Sequence, residues 1–131
     1  MTALGTSAVL EHHPRSVGLA RGLVADLVAD LPVDTAADAV LLTSELVTNA
    51  VCHGGPTIEL SASLSEDGVT VAVYDDGADL PIMSEARPSL EAVSGRGLQM
   101  VQQVAREWGV RFDRSRAGKT VWFELGRARW S

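Results

Sequence analysis

Hydrophobic positions recur at helical spacing over two stretches near the amino terminus and alternate at strand spacing further along. From Arg15 to Asp30, residues Val17, Leu19, Ala20, Leu23, Val24, Leu27 and Val28 fall three and four apart, which predicts a helix opened by Pro14 and stopped by Pro32. A second helix contains Leu41 to Gly55, LLTSELVTNAVCHGG, with Asp34 as its expected N-cap and Gly54-Gly55-Pro56 as its end. Thr6 to Glu11 is short and apolar, as an edge strand would be. Thr57 to Ser63 and Val69 to Tyr74 alternate, and Glu66-Asp67-Gly68 between them reads as a hairpin turn. Residues 75–94 hold two prolines and no clean period. Gly97 to Glu107 is apolar at Leu98, Val101, Val104 and Ala105, hence a helix. Gly109 to Asp113 and Thr120 to Leu125 read as strands joined by the basic loop Arg114 to Lys119. This order predicts an α+β fold, a two-layer α/β sandwich with a mostly antiparallel mixed sheet and helices on one face.

The second helix breaks its own pattern. Glu45, Asn49 and His53 are stacked one turn apart, and Leu42 and Leu46 project from almost the same sector. A carboxylate and an amide held among core leucines must be hydrogen-bonded, paired or bound to something, because leaving a polar group bare costs about 2–7 kcal/mol. Carboxylate and amide oxygens four residues apart suit a hard cation such as Mg²⁺, which takes a few protein oxygens and fills its shell with water and phosphates. Taken alone, such a pair on a helix is more often structural, capping a neighbouring loop or facing water.

Composition narrows the class. With 131 residues, one core and one domain spanning 1–131 are expected. An apolar fraction of 46% without low-complexity runs indicates a globular chain. No window holds 18 uninterrupted apolar residues and MTALGTSAVLEHHPR has no basic leader before a hydrophobic run, so a cytoplasmic, soluble protein is expected, with no membrane partner. The single cysteine, Cys52, can form no internal disulfide, and is expected to be a buried structural thiol instead of half a zinc set with His53. The net charge is −6, but seven of the 11 basic residues lie after Ala105 against three acids there, leaving four basic and 14 acidic residues before it. An acidic domain without a broad basic face argues against direct nucleic-acid binding.

Glycines mark two candidate phosphate motifs. Gly118-Lys119-Thr120 imitates the end of a P-loop, but position 113 is Asp113 where the leading glycine should be, and a strand follows instead of a helix. A Walker NTPase is rejected. Ser94-Gly95-Arg96-Gly97 precedes a helix, where bare backbone and free N–H groups attract anions. A dinucleotide fingerprint fails, because its third position is Met100 and no parallel βαβ unit surrounds it. Finally, Val73-Tyr74-Asp75-Asp76-Gly77 runs a strand into a turn, placing a carboxylate where it can accept from an exocyclic amine such as that of adenine, beside a glycine that leaves room for a flat ring. A plain Asp-Gly turn is the competing reading.

Ser44-Glu45-Leu46-Val47-Thr48-Asn49-Ala50-Val51-Cys52-His53, then Asp75-x-Gly77, then Gly95-Arg96-Gly97-Leu98, then Gly118-Lys119-Thr120-Val121-Trp122 resemble, in order and spacing, the motifs of the GHKL (Bergerat-fold) ATPase superfamily. More closely, the chain resembles the small anti-sigma-factor serine/threonine kinases and their actinobacterial single-domain relatives. The resemblance implies ATP and Mg²⁺ as cofactors, Glu45 as the general base and Asn49 as the metal ligand. It further implies Asp75 as the contact to adenine N6, with Gly77, Gly95, Gly97, Leu98, His53 and Thr120 around the nucleotide and Arg96 toward the γ-phosphate. The second glycine of the Asp-x-Gly motif is replaced by Asp79. By the same resemblance the partners would be a STAS-type anti-anti-sigma protein and a sigma factor, with a homodimer allowed. A non-catalytic ATP-binding interaction module of the same fold is the alternative, and a metabolite-binding α/β domain the remote one.

Overall fold

The computed structural model describes residues 4–77, 96–112 and 115–128. Their elements follow in the order β1 (Leu4–Leu10), α1 (Arg15–Leu27), α2 (Val33–His53), β2 (Ile58–Ser65), β3 (Gly68–Asp75), α3 (Arg96–Val104), β4 (Glu107–Arg111) and β5 (Lys119–Leu125). The strands form one sheet in the order β1-β2-β3-β5-β4, and each described pairing is antiparallel. The fold is therefore α+β as expected, with no parallel pair among the described strands.

Strand alternation separates two faces. On β2, β3 and β5 the buried positions Ile58, Leu60, Ala62, Leu64, Val69, Val71, Val73, Val121, Phe123 and Leu125 point one way. They meet Ala20, Val24 and Val28 from the first helical segment, Ala39, Leu42, Leu46, Val47 and Ala50 of α2, and Val101 of α3. The alternate residues Glu59, Ser61, Ala72, Tyr74 and Thr120 line an open pocket of about 520 Å³ on the other face. The β2–β3 hairpin is tight: Ser65 pairs with Gly68, so Glu66 and Asp67 alone make the turn. Gly68 has φ +142°, a conformation that side chains disfavour, and a Cβ there would overlap the Leu125 carbonyl oxygen.

Several local expectations are corrected. The second helix starts at Val33, with Pro32 in the cap position and no side-chain cap, so Asp34 is not the N-cap but lies in the first turn. Its carboxylate still faces the positive end of the helix. The first helix ends at Leu27, where the Val28 N–H closes the last turn on Val24, three residues before the predicted end. The third helix stops at Val104, and Glu107, expected in that helix, begins β4. Cys52 is exposed, because its position on α2 points away from the sheet. No helix among the described residues is long and apolar enough to cross a membrane.

Candidate functional site

The last turn of α2 and the end of β3 meet through bare backbone. The Gly54 N–H closes the helix on Ala50 at 2.8 Å. Gly55 then donates its N–H to Asp75 Oδ1 at 3.2 Å, and Gly77 donates to the same oxygen at 2.9 Å. A Cβ on Gly54 would lie 2.6 Å from Asp75 Cγ, and one on Gly77 2.6 Å from the Gly55 nitrogen. The absent side chains at Gly54, Gly55 and Gly77 thus serve this crossing of two chain segments. Asp76 strengthens it, accepting from the Thr57 N–H at 3.0 Å, and this bond holds its carboxyl below the usual carboxylate range. The crossing sits one turn beyond Asn49, and so brings the α2 stripe and the β3 carboxylate to one end of the sheet.

Asp75 continues the inward row Val69, Val71, Val73 and is only 3% exposed. Opposite it, in register, stands Lys119, also 3% exposed, whose Nζ donates to Asp75 Oδ1 at 2.9 Å. Neither the false P-loop pattern nor the family motif at Gly118-Lys119-Thr120 indicates this buried ion pair. The alternation Lys119, Val121, Phe123, Leu125 could have shown that Lys119 points inward. By the same alternation Thr120, expected near the nucleotide, points to the opposite face, where it shares a pocket with Tyr74 and Arg116. The family resemblance implies Thr120 at the nucleotide, and the pleat carries it to the opposite face of the sheet from Asp75 and Lys119.

Asn49 is buried, and among the described residues its Nδ2 has no hydrogen-bond partner. An orphaned buried amide costs about 1–3 kcal/mol in the free protein, and its carbonyl and amine ends are interchangeable by a flip. Such a group fits an oxygen ligand for a hard cation, provided the rest of the shell comes from elsewhere. Among the described residues no cluster of three His, Cys, Asp or Glu side chains could hold a metal alone, so phosphate and water would have to supply that remainder. Glu45, half-buried one turn earlier, has its carboxyl pushed up by burial. It borders an apolar groove of about 650 Å³ between α1 and α2, lined also by Arg21, Val28, Val33, Val40 and Leu41. His53 is partly buried at the helix end, and His12 Nδ1 lies 2.8 Å from the Gly55 carbonyl oxygen. Arg96, Gly97 and Leu98 open α3, whereas Gly95 and Asp79 lie outside the described residues.

A family profile for the histidine kinase-like ATPase domain matches residues 10–125. The chain belongs to this family. A solved structure with the same architecture is the histidine kinase domain of the blue-light activated histidine kinase from Erythrobacter litoralis EL346, at 25% identity and a TM-score of 0.54. The match covers 86% of this chain and 60% of that one. Among curated proteins no significant match is found.

Within this histidine kinase-like ATPase domain, the expected site residues divide by location. Glu45, Asn49 and His53 follow one another along the final turns of α2, and the Gly54–Gly55 crossing ties that helix end to Asp75 and Gly77. The strand partner of Asp75 in this assembly is Lys119 instead of Thr120.

Proposed function

We propose that this domain binds ATP with Mg²⁺ between the end of α2 and the end of β3, and transfers the γ-phosphate to a serine or threonine hydroxyl of a STAS-type anti-anti-sigma partner, thereby controlling a sigma factor. The observation that carries the reading is the buried Asn49, whose Nδ2 has no hydrogen-bond partner among the described residues, one turn before the crossing that positions Asp75. Asn49 would hold the metal, which when bound screens the phosphate oxygens and so favours phosphoryl transfer. Asp75 would take the exocyclic amine of adenine.

Glu45 supplies the base. Its raised pKa improves its match to proton abstraction near neutral pH, and the groove it borders gives a partner's hydroxyl a route to the carboxylate. Arg96 is the first residue of α3, where the free N–H groups of a helix amino terminus favour phosphate oxygens. The exposed Leu4, Val9 and Leu19 favour a homodimer as the working assembly.

Calorimetric titration with ATP, with and without Mg²⁺, tests the nucleotide site, and phosphate incorporation into a STAS-type protein tests the transfer. Saturable Mg²⁺-dependent binding that weakens in Asn49→Ala is the expected result; no binding at millimolar ATP would sink the reading. The second reading, a non-catalytic module in which ATP sets the shape of an interaction surface, is favoured by Asp79 in place of a motif glycine. Binding without any phosphate transfer to such a partner would select it.

A further inference from the structure

We propose that Lys119 reads the nucleotide base directly, its ammonium donating a hydrogen bond to the ring N1 of adenine while the Asp75 carboxylate accepts from the exocyclic amine. The inference rests on the nucleotide reading of the site given above and assigns a specificity-determining residue within it.

Position argues first. Lys119 is the only lysine in a chain that otherwise meets its needs for positive charge with ten arginines. It occupies an inward position on β5 whose strand mates are Val121, Phe123 and Leu125, all core residues. A buried ion pair stabilises a fold no better than apolar residues of similar volume, and often less well. An ammonium at this position therefore points to use by a ligand.

Hydrogen-bond accounting argues second. The three described donors to Asp75, from Gly55, Gly77 and Lys119, all fall on Oδ1, and among the described residues none falls on Oδ2. An ammonium carries three N–H donors, and one described bond, to Asp75, uses one of them. The pair thus leaves a carboxylate acceptor and ammonium donors without a partner among the described residues. The Watson–Crick edge of adenine is its complement, an amine donor beside a ring-nitrogen acceptor.

The support behind the pair argues third. Gly118, at φ +96°, passes so close that a Cβ would overlap the Asp75 carbonyl oxygen, which fixes the Lys119 backbone against β3. On the other face the Tyr74 hydroxyl donates to the Ala117 carbonyl, and Arg116 stacks on the Tyr74 ring. Lys119 is thus held before any base arrives, and such preorganisation favours binding.

The test compares ATP with 1-deaza-ATP, which keeps the exocyclic amine but carries C–H in place of ring N1. Wild-type protein should bind 1-deaza-ATP roughly tenfold more weakly by calorimetry, the loss expected for a charge-assisted hydrogen bond. Lys119→Met should bind the two nucleotides equally. Because the chain has one lysine, protein labelled with ¹⁵N-lysine gives a single side-chain nitrogen resonance, which ATP should shift and 1-deaza-ATP should leave nearly unmoved. The wild-type measurements stand even if the variant does not fold. Equal affinities in the wild type, an unmoved resonance with ATP bound, or discrimination retained by Lys119→Met would each overturn the assignment to Lys119 and leave the nucleotide site intact. Failure of the wild type to bind either nucleotide would overturn the site and this inference together.

Discussion

The Arg116 guanidinium lies 3.8 Å from the centre of the Tyr74 ring and at the same time donates two hydrogen bonds to Glu59, at 2.7 and 3.2 Å. This clamp sits on the open face of the sheet, yet Tyr74 and Arg116 flank, in sequence and in space, the Asp75 and Lys119 that face the helices. Arg116→Ala should weaken ATP binding a few-fold, with little change in melting temperature, since an exposed ion pair contributes little to stability. Arg116→Lys should resemble Ala more than wild type, because lysine keeps the charge but loses the planar fork and the ring contact. Calorimetry and thermal melts on the two variants check both statements.

The same clamp has a pH signature. The hydrogen bond from Arg116 holds the Glu59 carboxyl below its ordinary value of 4.5. Its contribution to stability is therefore present above pH 4.5 and is lost as pH falls through the lowered folded-state value. Denaturation of wild type and Glu59→Gln at a series of pH values should show only a small gap at neutral pH, as an exposed pair gives, and that gap should close under acid.

Glu45 behaves in the opposite sense. Burial raises its carboxyl above the ordinary value of 4.5, so the charged form is disfavoured by the fold. Glu45→Gln should be at least as stable as wild type at neutral pH, with the advantage gone below pH 4.5, where the carboxyl is protonated folded or unfolded. It should also abolish phosphate transfer while leaving ATP affinity near wild type. Unchanged transfer in this variant would remove Glu45 from the role of base.

Asn49→Ala separates ligand binding from folding. The substitution removes an amide whose Nδ2 has no partner, so the free protein should lose little stability. The rise in melting temperature that Mg²⁺ and ATP give the wild type should disappear. Melting curves with ATP and EDTA, against ATP and Mg²⁺, show whether the lost contribution belongs to the metal.

Two substitutions probe the frame. Phe123→Ala, at a fully buried site on β5 between β3 and β4, should cost roughly 3–5 kcal/mol in denaturant unfolding. Gly118→Ala combines a positive φ with overlap on the Asp75 carbonyl, and a cost of about 1–3 kcal/mol is expected. Gly118→Ala should in addition weaken ATP binding, since it displaces Lys119 from Asp75, whereas Phe123→Ala should affect binding only as far as it unfolds the protein.

Much of the architecture was readable from periodicity. Burial on one side of each element imposes a repeat of two on β2, β3 and β5 and a repeat near 3.6 on the helices, so these elements were found with boundaries off by a few residues. The α2 stripe was equally visible, because Glu45 and Asn49 interrupt a row of leucines. Expectation and structure differ where one local rule competes with another. Asp34 is a favoured capping residue, but Pro32 takes the cap position and Val33 starts the helix. Cys52 belongs to a residue type that is usually buried, but α2 turns that position outward. Thr120 stands beside Lys119 in the sequence and on the far side of the sheet in space.

The sequence by itself determined the element order, the apolar faces and the residue types available for phosphate chemistry, because these depend on spacing along the chain. Tertiary structure alone decided that Asp75 and Lys119 form a buried pair 44 positions apart, since the register of β3 against β5 is set by the packing of both strands on the helices. It also decided that Gly54 and Gly55 are needed where α2 crosses the end of β3, and that the Asn49 Nδ2 is left without a partner among the described residues. Contacts between segments distant in sequence depend on how whole elements pack, and no local pattern encodes them.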